Sequence, residues 1–393
     1  MSEMTAMRIV AGATLAVGWV AAAWLLLRIE APSLRVEPLD ARAQFDGAEL
    51  ARAERYGFGH ALLWAGLVVA QLVGLWLLWL RRPRGRGPLL VRGALVGTAV
   101  YATLWLAALP FRLGGQWWRR RYDVSELDYL RFLTGPWSTT LGELALAAVA
   151  GAAVVALARV VRRGTWLGLW AAACALAAGY ALVYPTVLSP RLRPLDDRAL
   201  ARAVEGLGLR LGLEDVQVEV RRAAERTRAV NAEAIGAGPT TRVILWDTLL
   251  RPEVGRGEIG FVAAHELAHV ARDHLWKGVA WFCLFALPAA WLLARVVPLR
   301  DPASLPLAAL VLLAFQLATL PAASALSRRY EREADRLALQ TTSDPAAAEA
   351  LYRRFVRTNL ADPDPPWLLH LVRGTHPTLV ERIATARAFA ARR

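Results

Sequence analysis

The chain is poor in the residues that most often announce a chemistry. Of 393 residues only two are cysteine, three methionine, six histidine and one lysine, Lys277. Cys174 and Cys283 lie far apart and form no C-x-x-C pair, which excludes a disulfide framework and a cysteine-rich zinc site. Both fall in apolar stretches and read as packing residues. Acidic residues are short as well, 33 against 47 basic ones, and the net charge of +14 is carried almost wholly by arginine. Those arginines are scattered over loops without aromatic interleaving on a soluble face. Nucleic acid is thereby excluded as a partner, and contact with anionic lipid headgroups is favoured. No repeat or low-complexity tract stands out. The first apolar stretch lacks a convincing small-residue cleavage site, so it reads as the opening span of a polytopic protein rather than a secretory leader.

Apolar residues dominate: 56% of the chain is hydrophobic and the mean hydropathy is +0.33. Together with the basic excess this describes a protein whose main partner is the lipid bilayer. Stretches near the ~20 residues needed to cross the hydrocarbon core lie at 8–28, 60–81, 92–112, 163–191, 277–295 and 301–328. A weaker one at 137–161 carries Glu143. Seven transmembrane helices are expected, with Trp76, Trp79, Trp117, Trp118 and Trp137 as interfacial anchors.

The spans divide the chain. Residues 1–188 hold five of them, with a juxtamembrane helix expected within 29–59 and an interfacial segment at 114–132. Residues 189–276 have the composition of a soluble α+β region: helical spacing at 200–213, strands at 216–220, 228–235 and 242–246, and turn chemistry at Gly236-Ala237-Gly238-Pro239. A membrane hairpin at 277–327 follows, then a polar helical region at 328–393.

The chemistry gathers at His265-Glu266-Leu267-Ala268-His269, within an apolar run that favours a helix from about residue 258. On a helix the two histidines sit one turn apart on one face. Two imidazoles converging on a metal, with an open position and a carboxylate able to take a proton from water, are what a zinc hydrolase needs. Without a metal, a buried helix has little use for such groups, because burying an unpaired carboxylate costs several kcal/mol. A third ligand is required. Beyond the hairpin, Glu331 and Asp335 of Glu331-Arg332-Glu333-Ala334-Asp335 share a helix face, with Glu333 pointing elsewhere. Glu331 can complete a His₂Glu set, and Asp335 can accept a hydrogen bond from the far nitrogen of a ligating histidine. A solvated helix of Arg/Glu pairs is the plainer reading of that segment taken alone.

HExxH, a membrane hairpin and ExxAD together resemble the integral-membrane zinc peptidases of the CAAX prenyl protease 1 and HtpX-like type. Asn231-Ala232, the 239–250 segment, and His376-Pro377 followed by Glu381-Arg382 resemble further parts of that pattern. The resemblance covers about 190–393, and the seven spans favour the CAAX-protease-like branch. It implies a mainly α, polytopic fold with a zincin-like (gluzincin) α+β catalytic domain. It also implies one zinc ion on His265, His269 and Glu331, Glu266 as general base, and Asp335 behind the ligands. Asn231 and Ala232 would bind an extended polypeptide substrate beside the 242–246 edge strand. His376 and Arg382 would face the cleft and stabilise the oxyanion, although a His-Pro turn also caps helices. His274, five residues past His269, falls off the ligand face; His60 and His370 read as structural or interfacial.

Two features depart from the family. Ala268 stands where glycine is frequent, and Glu233-Ala234 where aromatic residues are frequent. The Arg/Ala bias suggests a bacterial plasma membrane, where a prenylated substrate is not to be carried over. Positive-inside counting on the 81–92 loop would put the catalytic region outside, whereas the resemblance implies an active site on the cytoplasmic side, where it is expected. The reading is a membrane-embedded metalloendopeptidase. A catalytically inactive scaffold would keep the fold while losing chemical residues, all of which are present. A transporter would need paired ionisable residues within its spans, which are not obvious.

Overall fold

The computed structural model of the protein describes residues 3–28, 36–82, 87–161, 164–189 and 192–392. Its membrane part begins with α1 (Glu3–Leu26), α2 (Ala41–Gln44), α3 (Gly47–Leu80), α4 (Leu89–Arg121), α5 (Tyr129–Thr134), α6 (Trp137–Val160) and α7 (Thr165–Val183). The polar region follows as β1 (Arg193–Pro194), α8 (Arg198–Arg210), β2 (Gln217–Arg221), β3 (Ala232–Ile235), β4 (Arg242–Trp246) and α9 (Arg256–Ala271). The hairpin is α10 (His274–Val296) and α11 (Leu305–Thr342), and the chain ends in α12 (Pro345–Asn359), α13 (Trp367–Arg373) and α14 (Leu379–Ala390).

Six helical segments among the described residues are long and apolar enough to cross a membrane, and the weaker stretch with Glu143 is one of them. The first expected span is helical, but its described apolar part, Thr14–Leu26, is shorter than a full crossing. The expected juxtamembrane helix is not separate. Asp46 caps α3, its carboxylate accepting from the Ala48 and Glu49 amides, and the helix then runs unbroken for 34 residues into the membrane. Likewise α11 continues through both the span and the ExxAD segment as one helix of 38 residues.

Glycine sets the closest helix pair. A Cβ on Gly97 of α4 would lie 2.3 Å from the Ala147 carbonyl of α6, and one on Gly151 of α6 would lie 2.4 Å from the Gly93 carbonyl. Apolar side chains gain nothing by leaving lipid for a helix contact, so such backbone approach is a main source of association. Gly97→Leu is expected to force α4 and α6 apart and destabilise the fold by about 1–3 kcal/mol or more. Thermal unfolding in detergent checks it, with the exposed Gly18→Leu, which meets nothing within 4 Å, as control.

The sheet has strand order β1-β2-β4-β3, with β2 parallel to β4 and both β1 and β3 antiparallel to their neighbours. The expected edge strand at Arg242–Trp246 is therefore central, and the edge on that side is β3. Four of the five residues of β4 are fully buried, as suits a strand paired on both sides. Val218, Val243 and Leu245 join a core with α8, α9, α12, α14 and the end of α11. Phe45, Leu50 and Ala53 from the start of the membrane part belong to the same core, so the two regions share their packing.

Candidate metal centre

Helix α9 is the central element of that core: Phe261, Ala263, Ala264, Leu267 and Ala268 have no exposed surface. Its first turn is held by Glu258, whose carboxylate accepts from the Gly255 amide and from Arg354. Packing on all sides fixes the rotation of the helix, and with it the direction of His265 and His269.

The structure brings His265, His269 and Glu331 together, each offering one ligand atom within 4.8 Å of the others. Nε2 of His265 is 3.1 Å from Nε2 of His269 and 3.2 Å from Oε2 of Glu331, and His269 Nε2 is 3.4 Å from Glu331 Oε1. Atoms bound tetrahedrally at zinc distances stand about 3.3 Å apart. Glu331 Oε2 is buried and has no hydrogen-bond partner among the described residues, although two histidine nitrogens approach it. Lone pairs converging on one point rather than on protons fit a cation there.

The protonation pattern agrees. Burial opposes charge on His265, but Asp335 and Glu331 outweigh it and raise its pKa to about 10. Burial, with the neighbouring His265 charge, holds His269 down at about 3. The carboxylates therefore favour positive charge at the ligand set.

Glu266 stands between this cluster and β3. Burial raises its carboxyl to about 7, and its Oε2 accepts from the Ala234 amide at 3.1 Å. The Trp246 amide donates to the Asn231 carbonyl, so alternation along β3 turns the backbone groups of Ala232 and Ala234 away from β4. Asn231 is exposed at the head of the strand, whereas Ala232 is buried. The accessible part of this edge is thus Asn231 and the half-buried 233–235. Asn359 holds the approach to it, its side-chain amide exchanging two 2.9 Å bonds with the Val230 backbone.

Asp335 lies behind His265, with Oδ1 2.9 Å from Nδ1. It also accepts from Tyr352 Oη at 3.0 Å and from Arg382 twice, at 2.9 and 2.6 Å. Arg382 is buried, stacked on Tyr352 and bound to Asp335, so it does not face the cleft as the motif suggested. His376 does: it is exposed, with Nε2 3.3 Å from Glu331 Oε2. The residues after it also form a helix cap, Thr378 and Glu381 exchanging side-chain and backbone bonds at the start of α14. Arg328 anchors the preceding turn by donating to the His370 and Gly374 carbonyls.

His274 and Glu333 stay outside the donor set, as expected, yet they stand directly behind it. Were α9 to continue, His274 would leave the ligand face. Instead α9 ends at Ala271, Asp273 adopts a left-handed φ of 53°, and His274 opens α10. That break returns His274 to 2.8 Å from His269, Nδ1 to Nδ1, and its Nε2 lies 3.2 Å from buried Glu333. The polar run Arg272-Asp273-His274 between two apolar helices was the signal for a break. Tyr352 and Asn359 had none.

A His₂Glu donor set on a helix bundle, with a carboxylate beside it and a strand edge alongside, is an arrangement that could hold a metal ion at the end of a membrane domain. Residues 194–390 match Peptidase family M48, and the chain belongs to that family. It is similar to the uncharacterized metalloprotease YhfN of Bacillus subtilis (29% identity over 238 residues, 56% of each chain). It is also similar to a CAAX prenyl protease 1 homolog of Taenia solium (25% over 252 residues, 52% of each). The chain thus spans about half the length of the curated relatives it matches. The fold is shared with the crystal structure of S. mikatae Ste24p, at a TM-score of 0.62, 20% identity and 74% coverage of both chains. The family implies a metal.

Arg382→Met is expected to leave Asp335 buried without its cation and to destabilise the fold by about 3–5 kcal/mol. The detergent unfolding midpoint measures this, and Arg382→Lys should recover only part of it, because lysine lacks the two-pronged geometry.

Proposed function

We propose that this protein is a membrane-embedded zinc metalloendopeptidase that hydrolyses extended or unfolded polypeptide segments at the membrane surface. The observation that carries the reading is the placement of Glu266, between a converging His₂Glu donor set and a partly accessible strand edge. Zinc held by His265, His269 and Glu331 would supply Lewis acidity, polarising the scissile carbonyl and making water a stronger acid. Glu266 takes the water's proton and delivers it to the leaving amine; its raised pKa brings it close to the working pH, where such transfer is efficient. His376 steadies the negative charge that builds on the carbonyl oxygen. Asp335 orients His265, and Arg382 with Tyr352 fixes Asp335, a positioning role in place of direct contact with substrate. Asn231 and the outward backbone of β3 align the peptide.

Substrates of this kind include damaged membrane proteins and lipid-anchored peptides. We place the catalytic end in the cytoplasm, in keeping with the arginines that gather there at the end of α4 and just past the apolar stretch of α11: Arg119, Arg120, Arg121, Arg328 and Arg329.

Glu266→Gln is expected to lower kcat/KM on a quenched, unstructured peptide by on the order of 10²–10⁴-fold while keeping zinc near one per chain. Glu331→Ala should lose the zinc itself. Turnover surviving in Glu266→Gln would overturn the mechanism, and absence of zinc from the wild type would overturn the site. Asn231→Ala should raise KM by roughly 2–10-fold, the worth of one net hydrogen bond, with kcat nearly unchanged. Steady-state kinetics on the same peptide checks it.

A further inference from the structure

The two histidines of the donor set are supported differently. His265 meets a carboxylate directly, Nδ1 to Asp335 at 2.9 Å. Among the described residues the carboxylate at His269 is Glu331, 3.4 Å from Nε2 on the donor side; His269 Nδ1 meets Nδ1 of His274 at 2.8 Å, and His274 Nε2 meets Glu333 at 3.2 Å. Both members of this second arm are buried, Glu333 to 1% exposure. Glu333, on the membrane helix α11, also has Arg272 Nε at 3.8 Å, while the His274 ring at the start of α10 bridges that carboxylate to His269. Their placement has one consistent hydrogen-bond order. If His269 offers Nε2 to a metal, its Nδ1 carries the proton and donates to His274 Nδ1. His274 then carries its own proton on Nε2 and donates to Glu333. The ring of His274 is also braced against Tyr330, centroids 4.6 Å apart at 30°, and Tyr330 is fixed by Trp281 and by the Leu26 carbonyl.

We propose that His274 is a positioning residue for the metal centre: with Glu333 it forms a carboxylate–imidazole relay that selects the tautomer of His269 and raises its basicity as a ligand. This rests on the reading of His269 as a ligand. The relay does for His269, through one extra ring, what Asp335 does for His265. It needs the helix break at Asp273, which alone brings His274 back over His269.

The test is zinc affinity, measured by competition with a chromogenic chelator on detergent-purified full chain. Partners behind a ligating histidine are worth about 10–100-fold in metal affinity. His274→Phe keeps a ring against Tyr330 and removes the acceptor, so its zinc affinity should fall within that range. His274→Asn can place Oδ1 near the position of Nδ1, and should recover part of the loss. Glu333→Gln keeps an acceptor without the charge, and should fall between wild type and His274→Phe. Should His274→Phe prove unstable, His274→Phe/Glu333→Gln removes the charge that has lost its imidazole partner, and cobalt(II) spectra of Glu333→Gln report the ligand field directly. Wild-type affinity in both His274→Phe and Glu333→Gln would overturn the relay, as would an equal loss in His274→Asn and His274→Phe. Failure of the wild type to bind zinc would instead overturn the ligand set itself.

Discussion

Everything near the candidate centre depends on one buried carboxylate. Asp335 projects from α11 and receives His265 from α9, Tyr352 from α12 and Arg382 from α14. Four helices thus meet at two oxygen atoms. A buried charge must be paired and hydrogen-bonded to be tolerated, so each partner is held by the others. The oxygen near His265 is also the one bonded to Tyr352, while Arg382 grips both. The orientation of a ligand on the central helix is therefore set by the whole tail of the chain. This explains why α12 and α14 share one hydrophobic core with α9 although neither contributes a donor to the set.

The second constraint is mechanical. α11 carries its apolar stretch and then Glu331 without a break. From Leu326 to Glu331 is five residues, about 8 Å along a helix, so the centre stands close to the end of the membrane-facing surface. Phe45, Leu50 and Ala53, from the segment leading into the second membrane helix, pack into the same core. The polar region is not a domain hung from a linker. On the proposed reading, a substrate would reach Glu266 at the boundary of the bilayer, and extended chain is what a strand edge in that position could accept.

The sequence disclosed these elements to differing degrees, for physical reasons. Spacing in HELAH and EREAD fixed which side chains share a helix face, and those residues do converge. Alternation and turn residues placed strands at 216–220, 228–235 and 242–246; they lie at 217–221, 232–235 and 242–246, the second beginning four residues later than expected. Their order was not: β2 and β4 pair in parallel around a long connection, leaving β3 outside, and no local pattern encodes that crossover. Burial of Arg382 was hidden for a related reason, since an arginine near a histidine motif looks the same facing a cleft or a carboxylate. His274 stays outside the donor set as its spacing suggested, but extending helical periodicity across Asp273, a residue able to take a left-handed turn, hid its contact with the far nitrogen of His269.

Charge accounts for why these pieces occur together. Glu266, Glu331, Glu333 and Asp335 surround histidines that serve best as neutral ligands, and guanidinium groups meet part of that charge: Arg382 at Asp335, Arg272 at 3.8 Å from Glu333, and Arg336 acting on both Glu333 and Asp335. The remaining pull of Asp335 and Glu331 falls on His265, whose pKa it raises to about 10. A proton there would occupy a nitrogen that the proposed donor set needs. On the proposed reading, a divalent cation held by His265, His269 and Glu331 would answer the same pull and leave each imidazole free to act as a ligand. The acid gathered around these histidines is thus what would give a divalent metal its hold there.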